Sequence, residues 1–515
     1  MCGIAGGNIQ GDWIDKCLDH MEHRGPDGFS KETVDDVTFG HRRLSIIDLS
    51  DRGKQPIRYK NLMMTFNGEI YNYQYLRSYL NADDDLFQSS LNDAHVAIRY
   101  IHKYGVDKFL DRASGMWAFA IYNSDTKEIG LYADPFNQKP IYYYHSEGIF
   151  AFASEPVCLY WLKSKWELDY DALETYWMLG GVIGENQLFK GIKKVLAGEE
   201  VIFKNTVRKR KWYQIKPSKD NVDQLIYEAI DEMKVSDVPV ALFLSGGIDS
   251  SIVASRLSGT AIHLDSPERE YAQEVANKYK LDFKVCTPTD YQTSEILTDY
   301  VSKTGEPTMA GAIPWITAKE TRAFGKVAVI ANGADELFFG YDRLKGDDNQ
   351  YSVHQNNHLF RGSLFSHEKL NQFRKGTSRK TELDIFIQYD LNRTLDFASM
   401  CHGLEVRSPF LNRKLVEAAL SIPEEKHRQN GNKSILKAIL HKQGFPHAFT
   451  DRPKQGFSLH FKPIGFEQES KEAFNWAVLE GYILMKQMAP RCKSYLQSSA
   501  LGFKYWFNKY KSIIA

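Results

Sequence analysis

"VPVALFLSGGIDSSIVASRL" occupies residues 238–257. Val238–Leu244 is a continuous apolar run, as expected for a strand buried on both faces of a parallel sheet. It breaks at the turn Ser245-Gly246-Gly247, and Ile248-Asp249-Ser250-Ser251 opens a helix. Glycines let the backbone approach an anion, and a helix N-terminus points free N–H groups and the positive end of its dipole at one. The serine hydroxyls add donors, and Asp249 can hold a magnesium ion that screens phosphates. A Gly-rich strand-to-helix turn without any ligand reads the same way on these residues alone. No GxxxxGK[ST] occurs in the chain, so this is not a Walker loop.

The same alternation recurs around this stretch. "WITAKETRAFG" (315–325) reads as a helix, and "VAVIANG" (327–333) repeats the strand-then-glycine order. Strands alternating with helices predict an α/β unit with a parallel sheet and a ligand at its carboxyl edge. The C-terminal region is mostly helical, with "FKYWFNKY" (503–510) as core aromatics on a terminal helix. Residues 1–160 follow another pattern, also α/β but built largely from short antiparallel strands. "DVTFGHRRLSIID" (36–48), "NLMMTFNGEIYN" (61–72), "WAFAIYN" (117–123), "EIGLYAD" (128–134) and "GIFAFAS" (148–154) are its strands. Only "YQYLRSYL" (73–80) and "HVAIRYIHKYG" (95–105) read as helices there. A bridging segment, 165–215, contains the basic run Arg208–Lys211, expected as a solvated turn or linker. The expected division is 2–205, including bridging segment, and 206–515.

A chain of 515 residues is too long for one core. Its 43% apolar and 25% charged residues are those of an ordinary soluble protein. Lys+Arg and Asp+Glu both number 65, which gives no electrostatic reason to expect nucleic acid or a membrane surface as partner. Cysteines 2, 17, 158, 286, 401 and 492 include no CxxC pair, so neither a zinc site nor a disulfide framework is expected. With no bilayer-length apolar stretch and no charged-then-apolar leader, the reducing cytoplasm fits best. A homodimer is compatible with this composition, which dictates no oligomeric state.

The chain opens "MCGIAGG". Removal of Met1 would leave Cys2 with a thiol and a free α-amine on one residue. Such an amine titrates near 7.7–8.0 and can accept the thiol proton. Attack on an amide then needs donors for the oxyanion. The Asn67 amide and the Gly68 N–H in "FNGEIYN" (66–72) can supply them. Arg43 suits an amino-acid carboxylate and Asp93 an ammonium group. Each has a plainer reading: Cys2 as a buried small residue, "NGE" as a turn, Arg43 as a surface ion pair.

"MCGIAG", "HRGPDG" (23–28), "HRRLSIIDLS" (41–50), "QPI" (55–57), "FNGEIYN" and "GMWAFAIY" (115–122) together resemble the glutaminase domain of the N-terminal-nucleophile amidotransferases, in the order of the asparagine synthetase branch. The resemblance implies an α/β/β/α layered domain in which Cys2 attacks glutamine. Asn67 and Gly68 would form the oxyanion hole, and Arg43, Leu44, Ser45, Ile46, Ile47, Glu69 and Asp93 would bind the amino acid. "FLSGGIDSS" (243–251) likewise resembles the SGGxDS loop of ATP pyrophosphatases. This implies ATP held by Phe243, Leu244, Ser245, Gly246, Gly247, Asp249, Ser250, Ser251, Ile262, Ile330 and Ala331. "NGADELFFGY" (332–341) and "RPKQGF" (452–457) resemble family segments that make Asp335 a second Mg²⁺ or pyrophosphate ligand beside Asp249, and Lys454 the cation over the adenylation charge. "GLEVRSPFL" (403–411) matches the family's EVRxPFL.

The chain departs from the family's pattern at Asn92 and His95, at Ala133 and Asn137, and at Asn332, where the family has a glutamate near the reacting acyl group. An amide there removes a charge and a proton acceptor. The resemblance implies a glutamine-dependent synthetase that adenylates aspartate with ATP and Mg²⁺, without a prosthetic group, and amidates it with channelled ammonia. Three alternatives stand beside it: the same mechanism on another carboxylate such as a sugar acid, a glutaminase with a nucleotide-binding but non-synthetic partner domain, and a non-catalytic scaffold.

Overall fold

The computed structural model describes residues 1–80, 92–179, 181–308, 311–341, 344, 378–452, 464–465, 468–469, 471–473 and 493–514. Among the described residues twelve strands form the N-terminal part: β1 (Gly3–Gly7), β2 (Gly28–Val34), β3 (Val37–Arg43), β4 (Ile57–Tyr59), β5 (Leu62–Ile70) and β6 (Gly115–Asn123). They continue with β7 (Glu128–Ala133), β8 (Tyr142–Ser146), β9 (Ile149–Ala153), β10 (Ile192–Lys194), β11 (Glu199–Phe203) and β12 (Val207–Lys211). One sheet runs β10-β8-β9-β1-β3-β2 and the other β12-β11-β7-β6-β5-β4, both antiparallel. Phe39, Ala118, Ala120, Leu131, Phe150 and Phe152 from the two inner faces pack into one core. Helix α1 (Trp13–His20) covers the first sheet and α2 (Asp93–Tyr104) the second. The result is the expected helix–sheet–sheet–helix layering.

Helix α1 contradicts the reading that only two segments of this region are helical. Its buried residues Trp13, Ile14, Cys17 and Leu18 follow the i, i+1, i+4, i+5 spacing of a helix face. Trp13, Ile14, Asp15, Cys17, Asp19 and His20 all have low helix propensity, so packing makes this helix. The basic run is corrected too: Arg208–Lys211 lies in edge strand β12. Arg208 pairs with Glu128, Lys209 with Glu185 and Arg210 with Glu200. A charged edge of this kind discourages pairing with another chain.

The C-terminal sheet is all parallel. Its strands are β13 (Val240–Phe243), β14 (Thr260–Leu264), β15 (Asp282–Cys286), β16 (Val327–Val329) and β17 (Glu405–Arg407), in the order β15-β14-β13-β16-β17. Helices α3 (Ile248–Ala254), α4 (Arg269–Tyr279), α5 (Ala312–Thr321) and α6 (Asn392–Met400) pack around it, followed by α7 (Ser434–Lys442) and α8 (Lys493–Tyr510). Phe503, Trp506 and Tyr510 of α8 are buried, as the aromatic pattern predicts. Among the described residues no helix is long and apolar enough to cross a membrane, and Cys2, Cys17, Cys158, Cys286 and Cys401 are free and buried. Cys492 lies outside the described residues.

Buried charges join the two parts. Arg24 reaches Glu155 at 3.3 Å and Asp396 of α6 at 2.9 Å, and Lys139 reaches Asp396 at 3.3 Å. Tyr142 donates to Glu306, and Lys326 pairs with Asp27 at 2.6 Å. Asp396 is the shared anion, so Asp396→Ala strands buried Lys139 and leaves Arg24 with Glu155 alone. We expect the loss of about 3–5 kcal/mol, measured by urea unfolding; a loss below about 1 kcal/mol would show that this network does not hold the halves together.

Candidate functional site

Cys2 immediately precedes β1 and is buried. Its backbone N–H donates to Asn67 Oδ1 at 2.9 Å. That bond fixes which end of the Asn67 amide is free: Nδ2 is buried and has no partner. A buried, unpaired amide donor is costly unless a ligand satisfies it, and a developing oxyanion is such a ligand. Gly68 beside it has φ of +148°, and a Cβ there would lie 2.1 Å from the Met116 carbonyl oxygen. Only glycine fits. The Leu44 amide hydrogen-bonds the Cys2 thiol, whose titration burial pushes up.

The expected amino-acid ligands converge here. Glu69 and Arg43 both act electrostatically on the thiol, and Asp93 acts on Glu69. Arg43 is held by the backbone carbonyls of Asp48 and Ser50. The Ser45 amide donates to Asp27 of "HRGPDG" at 2.7 Å, and Ile46 and Ile47 pack with Met1. Asp93 opens α2 and accepts the Ile70 and Ala94 amides, yet burial pushes its carboxyl up to about 6. Burial also raises Glu69, with Glu405 and Asp93 adding to it, and Glu69 Oε2 has no hydrogen-bond partner. Two close buried carboxylates make a wall suited to an ammonium group.

Two residues from outside the expected set join this centre. Glu405 of β17 pairs with the Met1 ammonium at 2.8 Å and with Arg407 at 2.6 Å. Burial pushes Glu405 up, but those two cations outweigh it and hold it down at about 2. Arg407 lies 3.8 Å from Glu69. "EVRSPFL" was readable as a family segment, but nothing local says that its charges turn toward the N-terminal strand.

The second centre is a cavity of about 1140 Å³ at the carboxyl edge of the parallel sheet. Phe243, Leu244, Ser245, Gly247, Asp249, Ser250, Ile262, Ile330, Ala331, Asn332 and Asp335 line it, which are eleven of the positions singled out in the sequence. This volume exceeds the usual range for one drug-sized ligand and leaves room for a nucleotide with a second small molecule. Gly246 and Ser251 lie behind the wall: Ser251 is buried and donates to the Gly247 carbonyl at 2.7 Å. Lys454 lies outside the described residues.

Lys433, the third residue missed, is buried at the cavity wall. It lies 2.5 Å from both Asp249 and Asp335, whose charges outweigh its burial and push its ammonium up. Its φ of +60° is unusual for lysine, a strain of about 1–3 kcal/mol that persists only where surroundings impose it. Its partner Asp249 is 184 residues away in sequence, so "GNKSIL" (431–436) carries no local sign of it.

Residues 1–214 match the family model described as a glutamine amidotransferase domain, and residues 221–481 the one described as asparagine synthase. The chain belongs to the asparagine synthase family. This family uses ATP. Among its curated relatives is asparagine synthetase [glutamine-hydrolyzing] 1 of Bacillus subtilis (strain 168), 27% identical over 85% of this chain and 82% of that protein. Asparagine synthetase B [glutamine-hydrolyzing] of Escherichia coli (strain K12) is 28% identical over 85% of this chain and 77% of its own length. A putative asparagine synthetase [glutamine-hydrolyzing] 2 of Methanocaldococcus jannaschii is 28% identical over 66% of this chain and 76% of its own.

Two outcomes follow for the thiol centre. Asn67→Ala lowers kcat for glutamine hydrolysis about 10²–10³-fold; a change under about threefold would remove Nδ2 from the chemistry. The Asp93 carboxyl, ionised only above about pH 6, attracts an ammonium group above that pH and loses it below. The kcat/KM for glutamine therefore falls as pH drops through 6, and a flat profile from pH 7 to 5 would contradict that role.

Proposed function

We propose that the protein makes asparagine from aspartate, with glutamine as nitrogen donor and ATP as activating substrate. After removal of Met1, Cys2 is the nucleophile and its own α-amine the base. The thiolate attacks the glutamine side-chain amide while Asn67 Nδ2 and the Gly68 N–H take the oxyanion. The amine returns its proton to the departing ammonia, and water then hydrolyses the thioester to glutamate. Arg43 takes the substrate carboxylate, and Glu69 with Asp93 takes its ammonium group, with Leu44, Ser45, Ile46 and Ile47 shaping the pocket.

In the second centre the aspartate side-chain carboxylate attacks the α-phosphorus of ATP, and pyrophosphate leaves. Ammonia attacks the acyl-adenylate, and AMP leaves. Adenylation is needed because a carboxylate is a poor acylating agent. Phe243, Ile262, Ile330 and Ala331 frame the nucleoside, and the 245–251 loop faces the phosphates. Asp249 and Asp335 offer oxygen donors only, the ligand type Mg²⁺ takes, and already share one cation between them. Mg²⁺ there would be completed by phosphate oxygens and water, leaving Lys433 to the pyrophosphate, with Lys454 as the second cation. The chemistry needs no prosthetic group, and a free thiol of this kind suits the reducing cytoplasm. Residues 2–205 with the bridging segment carry the thiol chemistry and 206–515 the ATP chemistry, with β12 still paired into the first unit's sheet.

One observation carries this reading. Leu44, Ile46, Val327 and Met400 form an apolar cluster beside the thiol, which remains once Met1 is removed. A second cluster gathers Ala241 of β13, Ala318 of α5, Ala328 of β16, Leu395 of α6, Leu404, and Val406 of β17, with Phe243 and Ile330 packed against it. Leu395, Phe243 and Ile330 line the nucleotide cavity. Apolar side chains thus lie between the two centres, surroundings that neutral ammonia tolerates and ammonium does not. The amide of Asn332 at the cavity favours one second reading, amidation of a different carboxylate.

Cys2→Ala should abolish glutamine-dependent asparagine formation and leave synthesis from added ammonia intact, read as asparagine and AMP by mass spectrometry. Loss of both together would break the two-centre reading. AMP release with a sugar acid but not with aspartate would replace the acceptor.

A further inference from the structure

Gly246 stands behind the cavity wall although Ser245 and Gly247 both line it. Its φ is +85°, and a Cβ there would sit 2.7 Å from the Ala272 amide nitrogen and 3.0 Å from the Glu268 carbonyl oxygen. The following peptide is held at both ends: the Gly247 N–H donates to Ser245 Oγ at 3.3 Å, and the Gly246 carbonyl accepts from Arg452 Nη2. A peptide flanked by two glycines has little steric resistance to flipping. Flipped, it would aim a carbonyl oxygen at the place where phosphate oxygens belong.

We propose that Arg452 is a positioning residue of the nucleotide site, which keeps the Gly246 carbonyl turned away from the phosphates. The guanidinium is built in for that task. Its Cζ lies 3.8 Å from the Tyr271 ring centroid and 4.5 Å from that of Phe449. Its Nη1 donates to the Phe449 carbonyl, and Glu268 lies 3.8 Å from Nη2. Two rings, two carbonyls and a carboxylate therefore orient one planar cation, something a lysine ammonium cannot reproduce. The cation also lines the cavity, so its charge favours the same anion whose loop it holds. Arg452 thus acts through the 245–247 loop.

This inference rests on the nucleotide reading, and direct binding separates the two. Calorimetric titration of the full chain with ATP, and separately with inorganic pyrophosphate, is compared for the parent, Arg452→Ala and Arg452→Lys. We expect Arg452→Ala to bind both ligands about tenfold more weakly, the worth of one charge-assisted hydrogen bond. Guanidinium ion, added below denaturing concentrations, should restore most of that loss, and Arg452→Lys should recover only part. Binding within twofold of the parent overturns the proposal, as does weakened binding that guanidinium leaves unchanged. A parent that binds neither ligand overturns the nucleotide reading itself, and this proposal with it.

Discussion

Arg407 carries the contact on which both centres depend. Its guanidinium is fully buried and tied to Glu405 and to the Met233 and Val235 carbonyls, with Glu69 of the thiol centre 3.8 Å away. Its own backbone carbonyl accepts the Ile330 N–H at 2.9 Å, and Ile330 lines the nucleotide cavity. One residue therefore faces the glutamine side with its side chain and the ATP side with its backbone. A buried cation survives only with its charge met: Glu405 does that here, and Nη2, which has no hydrogen-bond partner, faces Glu69. This requirement draws Glu405, Glu69 and the chain start onto the edge of the parallel sheet.

The departures from the family's pattern become intelligible at that scale. Asn92 caps α2 by accepting the His95 N–H at 3.0 Å, a task serine and asparagine perform equally. Asp93 keeps its place at the first turn, and His95 turns to the Arg52 carbonyl. Asn137 stands at φ +53°, where the family has glycine; asparagine is among the residues that tolerate that conformation. Its side chain donates to the Val195 carbonyl. Both substitutions preserve backbone geometry. Asn332 differs in kind, because it changes the charge of the cavity wall rather than the course of the chain.

Strands and turns were legible where pattern and chemistry are local. The run 238–257 announced strand, turn and helix in order, and β3, β5, β6, β7 and β9 follow their alternating segments. Helix α1 was not legible, because its face is defined by the sheet it covers. Strand β12 was hidden by charge, since pairing with Glu128, Glu185 and Glu200 makes four cations tolerable at an edge. The same division holds at the sites. Cys2, Asn67, Gly68 and the 245–251 loop sit in short motifs with their own geometric logic. Lys433, Glu405 and Arg407 are defined by partners far off in sequence, and a lone lysine or arginine says nothing of them.

The apolar side chains between the centres have their own physical logic. At neutral pH free ammonia is mostly ammonium, which is a poor nucleophile and costly to bury. An apolar passage, as proposed for the transfer of ammonia, would therefore select the reactive species. Ala241, Ala318 and Ala328 take up little space in a cluster that they share with Leu395, Leu404 and Val406. Arg24, Lys139 and Asp396 fasten the two halves by charge, while the clusters around Leu44 and Ala328 are apolar throughout.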